Sequence, residues 1–228
     1  MKSFFQDEFV THYLNNNLNG VIDCLSRGVN VEAVTEALMF SCQFGHSAMV
    51  SRLVQVPGLN INIQNEDGLT SAHLATLHCH TECVKILSNT QKVNWNKRDM
   101  NGGTPLYLAL EKGHFDIVGI IVQEPNINFN VRNEDGETLA QTAVWNGDVK
   151  CVEILAAQES FDCWNVPDSE GDTPIMWALK WRKSAIVEIL LRCPRVDLNC
   201  RDEEGWSLIF RAIQNRQLGK KMSKCLVE

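Results

Sequence analysis

No stretch of this 228-residue chain approaches the roughly 18 consecutive apolar residues that a membrane-spanning helix needs, so membrane insertion is not expected. The first residues, MKSFFQDEFV, lack the unbroken apolar segment of a secretory signal. Basic residues are in deficit. Lys and Arg number 21 against 28 Asp and Glu, a net charge of −7. That balance argues against nucleic acid as a partner, because phosphate binding calls for a basic stripe. The nine cysteines are odd in number and follow no fixed spacing. They suit free thiols in the cytosol or nucleus better than a disulfide framework. Catalytic signatures are missing as well. There is no Gly-x-Ser-x-Gly, no phosphate-binding Gly-Lys-Ser/Thr loop and no His-Glu-x-x-His. The chain is therefore expected to be neither an enzyme nor a holder of a cofactor.

What it does have is repetition. NEDGLTSAHLA at 65–75 returns as NEDGETLAQTA at 133–143, with DMNGGTPLYLA at 99–109 between them. DSEGDTPIMWA at 168–178 and DEEGWSLIFRA at 202–212 follow. The turn glycines Gly68, Gly102, Gly136, Gly171 and Gly205 are spaced by 34, 34, 35 and 34 residues. Two positions on stand Thr70, Thr104, Thr138, Thr173 and Ser207, and then Ala75, Ala109, Ala143, Ala178 and Ala212. A fixed period of this length is the mark of a stacked array.

One period, 97–130, shows what each unit should be. DMNGG is turn chemistry, with glycine free to take positive φ. Thr104 is placed to cap a helix opened by Pro105. Leu106, Ala109 and Leu110 mark its buried face at helical spacing. KGH breaks that helix, Ile117, Val118, Ile120 and Ile121 make a second one, and EPNINFN closes as a loop. Neither helix can bury its apolar face without a neighbour, so the units must stack.

The residues from Gly102 to Ala109 and from Gly171 to Ala178, with the Gly-His turns at 45–46 and 113–114, resemble the ankyrin repeat. Tetratricopeptide repeats share a 34-residue period but lack a Gly-x-Thr-Pro hairpin between units. The resemblance implies an all-α solenoid of helix-turn-helix units joined by hairpin loops, and a protein-binding rather than catalytic role. It divides the chain into a degenerate N-terminal cap at 1–30, repeats at 31–62, 63–96, 97–130, 131–165 and 166–199, and a capping or truncated repeat at 200–228. In the last of these, Lys220, Lys221 and Lys224 stand where the preceding repeat has Ile186, Val187 and Leu190. That fits either a polar cap, with Met222, Cys225 and Leu226 as a rotated apolar face, or an array that continues.

Two side-chain groupings invite a chemical reading. His73, His78, Cys79, His80 and Cys83 are of zinc-ligating types. In the resemblance, however, His73 and His80 fall on histidines that bond backbone, and Cys83 on a core position. Too few ligands remain for a metal site, and none is expected. A column of asparagines, Asn62, Asn96, Asn130, Asn165 and Asn199, recurs once per unit and suits loop bonding. Within it, LRCPRVDLN resembles the acceptor pattern of ankyrin asparaginyl hydroxylation, which would modify Asn199.

Function should then lie on the surface. The resemblance places partners along the hairpin tips and the outer ends of the first helices. Carried over by register, the tip and after-tip positions are Glu66, Asp67, Glu134, Asp135, Glu137, Glu170, Asp172, Glu203, Glu204 and Trp206. The helix-end positions are Phe44, Leu77, His78, Glu111, Lys112, Trp145, Lys180 and Trp181. Surface tryptophan is over-represented at binding hot spots, and the acids favour a basic or arginine-bearing segment of another protein. Trp177, beside Ala178, reads as core; Trp95, Phe129 and Trp164 read as seam residues, with Trp164 next to the one-residue insertion and free to protrude. The expected function is a monomeric adaptor, scaffold or inhibitor in the cytosol or nucleus. The alternative is a structural segment of a larger protein, such as a membrane-skeleton linker or a channel's cytoplasmic region.

Overall fold

A computed structural model describes residues 2–133, 135–202 and 204–214, with side chains from residue 7 onward except those of 209, 213 and 214. Glu134, Glu203 and the C-terminal cap residues Lys220, Lys221, Met222, Lys224, Cys225 and Leu226 lie outside the described residues. Within them the chain is helical, with only two isolated bridges, Arg132 to Thr138 and Arg201 to Ser207, at the necks of hairpins. Among the described residues no helix is long and apolar enough to cross a membrane.

Contacts gather into two units, residues 1–108 with 123–127, and residues 109–122 with 128–228. In the first, α1 (Lys2–Leu14) and α2 (Leu18–Ser26) form an opening helix pair without a hairpin. Helices α3 (Val31–Gln43) and α4 (Ser47–Leu53), then α5 (Ser71–Leu77) and α6 (Thr81–Asn89), are full repeats. First helices pack on first helices and second on second: α1 on α3, α3 on α5, α2 on α4, α4 on α6. Helix α7 (Pro105–Lys112) begins in this unit. The second unit holds α8 (Phe115–Ile121), α9 (Leu139–Asn146), α10 (Val149–Ala157), α11 (Pro174–Lys180), α12 (Ser184–Arg192) and α13 (Leu208–Gln214). There α9 packs on α11 and α11 on α13, while α8 packs on α10 and α10 on α12. Each helix is only 7 to 9 residues long from α4 onward. Such helices are too short to persist alone, so packing must supply their stability.

A single side chain organises every hairpin. In the first unit, Asn65 Oδ1 accepts from the Asp67 and Leu69 amides at 3.1 and 2.8 Å. Asp99 Oδ1 likewise accepts from the Asn101 and Gly103 amides at 3.0 and 2.8 Å. In the second, Asn133, Asp168 and Asp202 each accept at 2.8 Å from the amide four residues on, those of Glu137, Asp172 and Trp206. These are Asx turns, which is why Asn or Asp recurs there. Beyond each of the first four turns a threonine ends the extended segment, and beyond the fifth Ser207 does. Thr70 and Thr138 cap α5 and α9 through capping boxes closed by His73 and Gln141.

The asparagine column stitches one loop to the next. Asn62 Nδ2 donates to the Lys92 carbonyl at 2.9 Å, and Asn96 Nδ2 to that of Asn126 at 2.8 Å. In the second unit Asn165 Nδ2 donates to the Arg195 carbonyl at 2.7 Å. Trp95, Phe129 and Trp164 are all buried. Trp164 does not protrude: it is fully buried, 4.9 Å from Phe161, which meets Phe129 at 5.3 Å. Phe129, Phe161 and Trp164 thus form a buried aromatic cluster within the second unit.

Candidate interaction surface

The hairpins and first helices present one edge of each repeat to solvent, and the unusual side chains collect there. In the first unit, Glu66 and Asp67 are exposed at a tip whose backbone is tied down, the Asp67 carbonyl accepting from the Met100 amide at 3.0 Å. Phe44 is 53% exposed and lies 4.5 Å from Phe40. Leu77 is half-buried, and His78 is exposed and stacks on His80. The histidine and cysteine grouping disperses. His73 is buried and bonded to Thr70 and the Gly103 carbonyl, and His80 Nε2 lies 3.0 Å from the Gln43 carbonyl. Cys83 is buried, whereas Cys79 is exposed.

The second unit carries the exposed tryptophans. Trp145 and Trp181 are 54% and 50% exposed, with ring centroids 5.1 Å apart and planes at 87°. Trp177 is only half-buried and joins them, 5.9 Å from Trp145 at 69°. Its indole N–H donates to Asp168 Oδ2 at 2.7 Å, which fixes the ring. The helical spacing that made it look like core puts it at the border of the buried face. Trp206 is 41% exposed and stacks on Phe210 at 3.9 Å. An indole held by neighbours loses little freedom when a ligand arrives, which is how aromatic anchors bind well.

The acids behave differently from the tryptophans. Lys180 Nζ lies 3.0 Å from both Glu170 Oε2 and Asp172 Oδ2, and Asp172 is itself largely buried. Arg211 Nη2 sits 2.7 Å from Asp202 Oδ2 and 3.2 Å from Glu204 Oε2. Lys112 pairs with its neighbour Glu111 at 3.2 Å. Three of the seven described tip acids, Glu170, Asp172 and Glu204, are thus paired within their own repeat. Glu137 is not among them. Half-buried, it accepts from Asn133 Nδ2 at 3.0 Å. Burial pushes its carboxyl above the ordinary range, the Asn133 bond pulls it back, and Asp135 and Asp168 push it up again. Asp135 is exposed.

One grouping of metal-ligand types occurs among the described residues, Glu8, His12 and Cys24, with ligand atoms all within 4.8 Å of one another. A cation already serves it. Arg27 Nη2 lies 3.2 Å from Glu8 and 3.5 Å from the Cys24 sulfur. His12 Nδ1 is engaged by Asn17 at 3.0 Å, in a contact that closes the α1–α2 corner.

Comparison with known proteins bears on all of this. A family model described as ankyrin repeats (3 copies) matches residues 11–94, 38–133, 126–202 and 143–228. The crystal structure of EF0377, an ankyrin repeat protein, is similar at a TM-score of 0.73 and 19% identity, over 85% of this chain and 98% of that one. At that identity the likeness speaks for the fold. No curated protein matches the sequence.

Proposed function

We propose that this chain, which belongs to the ankyrin repeat family, is a non-catalytic protein-interaction module, an adaptor, scaffold or inhibitor, that holds a basic or arginine-bearing segment of another protein. Ankyrin repeats are in general protein-interaction modules and typically not enzymes. The observation that carries the finer reading is the exposed, mutually braced pair Trp145 and Trp181, with Trp177 anchored beside them. Free thiols throughout the described residues suit a cytosolic or nuclear setting. The contact surface extends by register to Trp206 and the hairpin tips, and Asn199, which is exposed, stays a candidate for hydroxylation that an intact-mass shift after hydroxylase treatment would reveal.

The internal ion pairs sharpen the test. Peptides selected from a randomised display library should be rich in arginine and lysine. Against the best of them, Trp181→Ala should speed dissociation roughly 30-fold at low and high salt alike, the equivalent of about 2 kcal/mol for a hot-spot tryptophan. Asp135→Asn should instead slow association about threefold at low salt, and this effect should fade at high salt as charges are screened. Glu170→Gln should change little, because Lys180 already occupies that carboxylate. If Trp181→Ala binds like the parent, the partner surface lies elsewhere.

A further inference from the structure

The fourth, fifth and sixth repeats share one register. In the fifth, the hairpin carries Glu170 and Asp172, and Lys180, at the end of the helix that follows, places its ammonium 3.0 Å from each. In the sixth, Asp202 and Glu204 hold the guanidinium of Arg211. The fourth repeats the acids of the fifth but not the cation. Asp135 and Glu137 stand two residues apart, as Glu170 and Asp172 do, with Glu137 and Asp172 each directly before the threonine at the N-cap position, Thr138 and Thr173. Eight residues after Asp172 comes Lys180; eight residues after Glu137 comes Trp145. An indole occupies the register position of the ammonium. No described cation lies within ion-pair distance of Glu137, and the charges that act on it are those of Asp135 and Asp168.

We propose that Asp135, Glu137 and the exposed face of Trp145 form a site for one arginine side chain of a partner, which supplies from outside the cation that the neighbouring repeats supply from within. The inference rests on the interaction reading above and names the chemistry of its contact. Arginine fits better than lysine. Its planar, weakly hydrated guanidinium can stack on the Trp145 indole while its N–H groups reach the carboxylates, and Trp181, at 87° to Trp145, bounds the site with a second aromatic surface. A lysine ammonium is a strongly hydrated point charge and gains less from two indoles. Trp177, tied to Asp168, keeps that carboxylate at the margin of the site.

The test uses the tripeptide acetyl-Gly-Arg-Gly-amide, with its lysine and citrulline counterparts, and follows the indole N–H resonances of the whole protein. The arginine peptide should shift Trp145 and Trp181 saturably with millimolar affinity, the range open to a ligand of this size. The citrulline peptide, similar in shape but uncharged, should leave them in place. Glu137→Gln should weaken arginine binding roughly fivefold, as loss of one partly exposed charge contact implies. Trp145→Lys, which copies Lys180, should abolish binding while leaving the fold intact, and should bring the Glu137 carboxyl titration to lower pH than in the parent. An unmoved pair of indoles, equal binding of lysine or citrulline, or arginine binding retained in Trp145→Lys would each overturn the site. If the tripeptide fails while Trp181→Ala still speeds release of a selected partner, the arginine site falls and the interaction surface stands.

Discussion

Gly68→Ala should destabilise the protein by about 2–4 kcal/mol, whereas Gly136→Ala should cost only about 1–2 kcal/mol, although the two glycines hold the same place in the repeat. Both have positive φ, +75° and +81°, so both substitutions pay the left-handed penalty of an L side chain. Space separates them. A Cβ on Gly136 would meet nothing within 4 Å. One on Gly68 would lie 2.9 Å from the Met100 amide nitrogen and 3.1 Å from the Asp99 Cα and carbonyl carbon. Those are backbone atoms of the next hairpin, and they cannot swing aside. Relief would require the hairpins to part, with loss of the 3.0 Å bond from the Met100 amide to the Asp67 carbonyl. Gly102, the position at which the repeat pattern alone predicts a cost of about 1 kcal/mol or more for valine, falls between them. Its Cβ would meet only the Arg98 guanidinium tip, at 2.6 Å, which can move. Chemical denaturation of the alanine variants ranks the costs, and amide exchange at Met100 locates the damage. Equal losses at Gly68 and Gly136, with Met100 protection unchanged in Gly68→Ala, would show that hairpin stacking does not resist the extra methyl.

Period, hairpins, capping threonines and the two helix faces were all legible in the sequence, because each depends on residues close together in the chain. Thr104 does cap α7 as its spacing implies, its hydroxyl accepting from the Tyr107 amide at 3.3 Å. Asn65, Asp99, Asn133, Asp168 and Asp202 form a column just as visible, but only the fold shows each side chain accepting from the amide four residues on. Other features had no local signal. Lys180 and Arg211 reach back 8 to 10 and 7 to 9 residues to their hairpins, pairings set by side-chain geometry rather than by spacing. Nine acidic positions at the tips therefore suggested a stronger negative edge than the fold leaves free. Whether Trp164 protrudes, and how far Trp177 is buried, were hidden for a related reason. A helical wheel sorts residues into faces, but the boundary of a buried face depends on what the neighbouring repeat brings. For Trp164 that is Phe161 and Phe129; for Trp177 it is Asp168 and Trp145.

His73→Ala should cost about 3 kcal/mol, while His73→Gln should stay within about 1 kcal/mol of the parent at neutral pH and lose part of its acid sensitivity. His73 is fully buried. Its Nδ1 accepts from the Thr70 amide at 3.1 Å, so the proton of the neutral ring sits on Nε2, which points at the Gly103 carbonyl 3.3 Å away. One ring thus closes the cap of α5 and ties it to the next hairpin. Alanine would leave a cavity and a buried Thr70 N–H without its partner, and would take from the Gly103 carbonyl one of its two donors, the Asp99 amide at 2.8 Å being the other. Glutamine does the same work two repeats further on. Gln141 Oε1 accepts from the Thr138 amide at 2.8 Å, and its Nε2 donates to the Asp172 carbonyl at 3.2 Å. The pH effect follows from the same geometry. Burial lowers the His73 pKa below the ordinary 6.5, although the bond to Gly103, the Asp99 charge and the Lys97 carbonyl oppose it. A proton on Nδ1 would also face the Thr70 N–H, donor against donor. The unfolded chain therefore binds a proton before the folded one does, so stability is complete above about pH 6.5 and drains away as pH falls toward the lowered native value. His46, also lowered by burial, contributes the same slope to both proteins and cancels in their difference. Denaturation midpoints of parent and His73→Gln, followed from pH 7.5 to 5, should diverge with the parent losing more. Parallel curves would place the acid sensitivity elsewhere and leave His73 a purely structural cap.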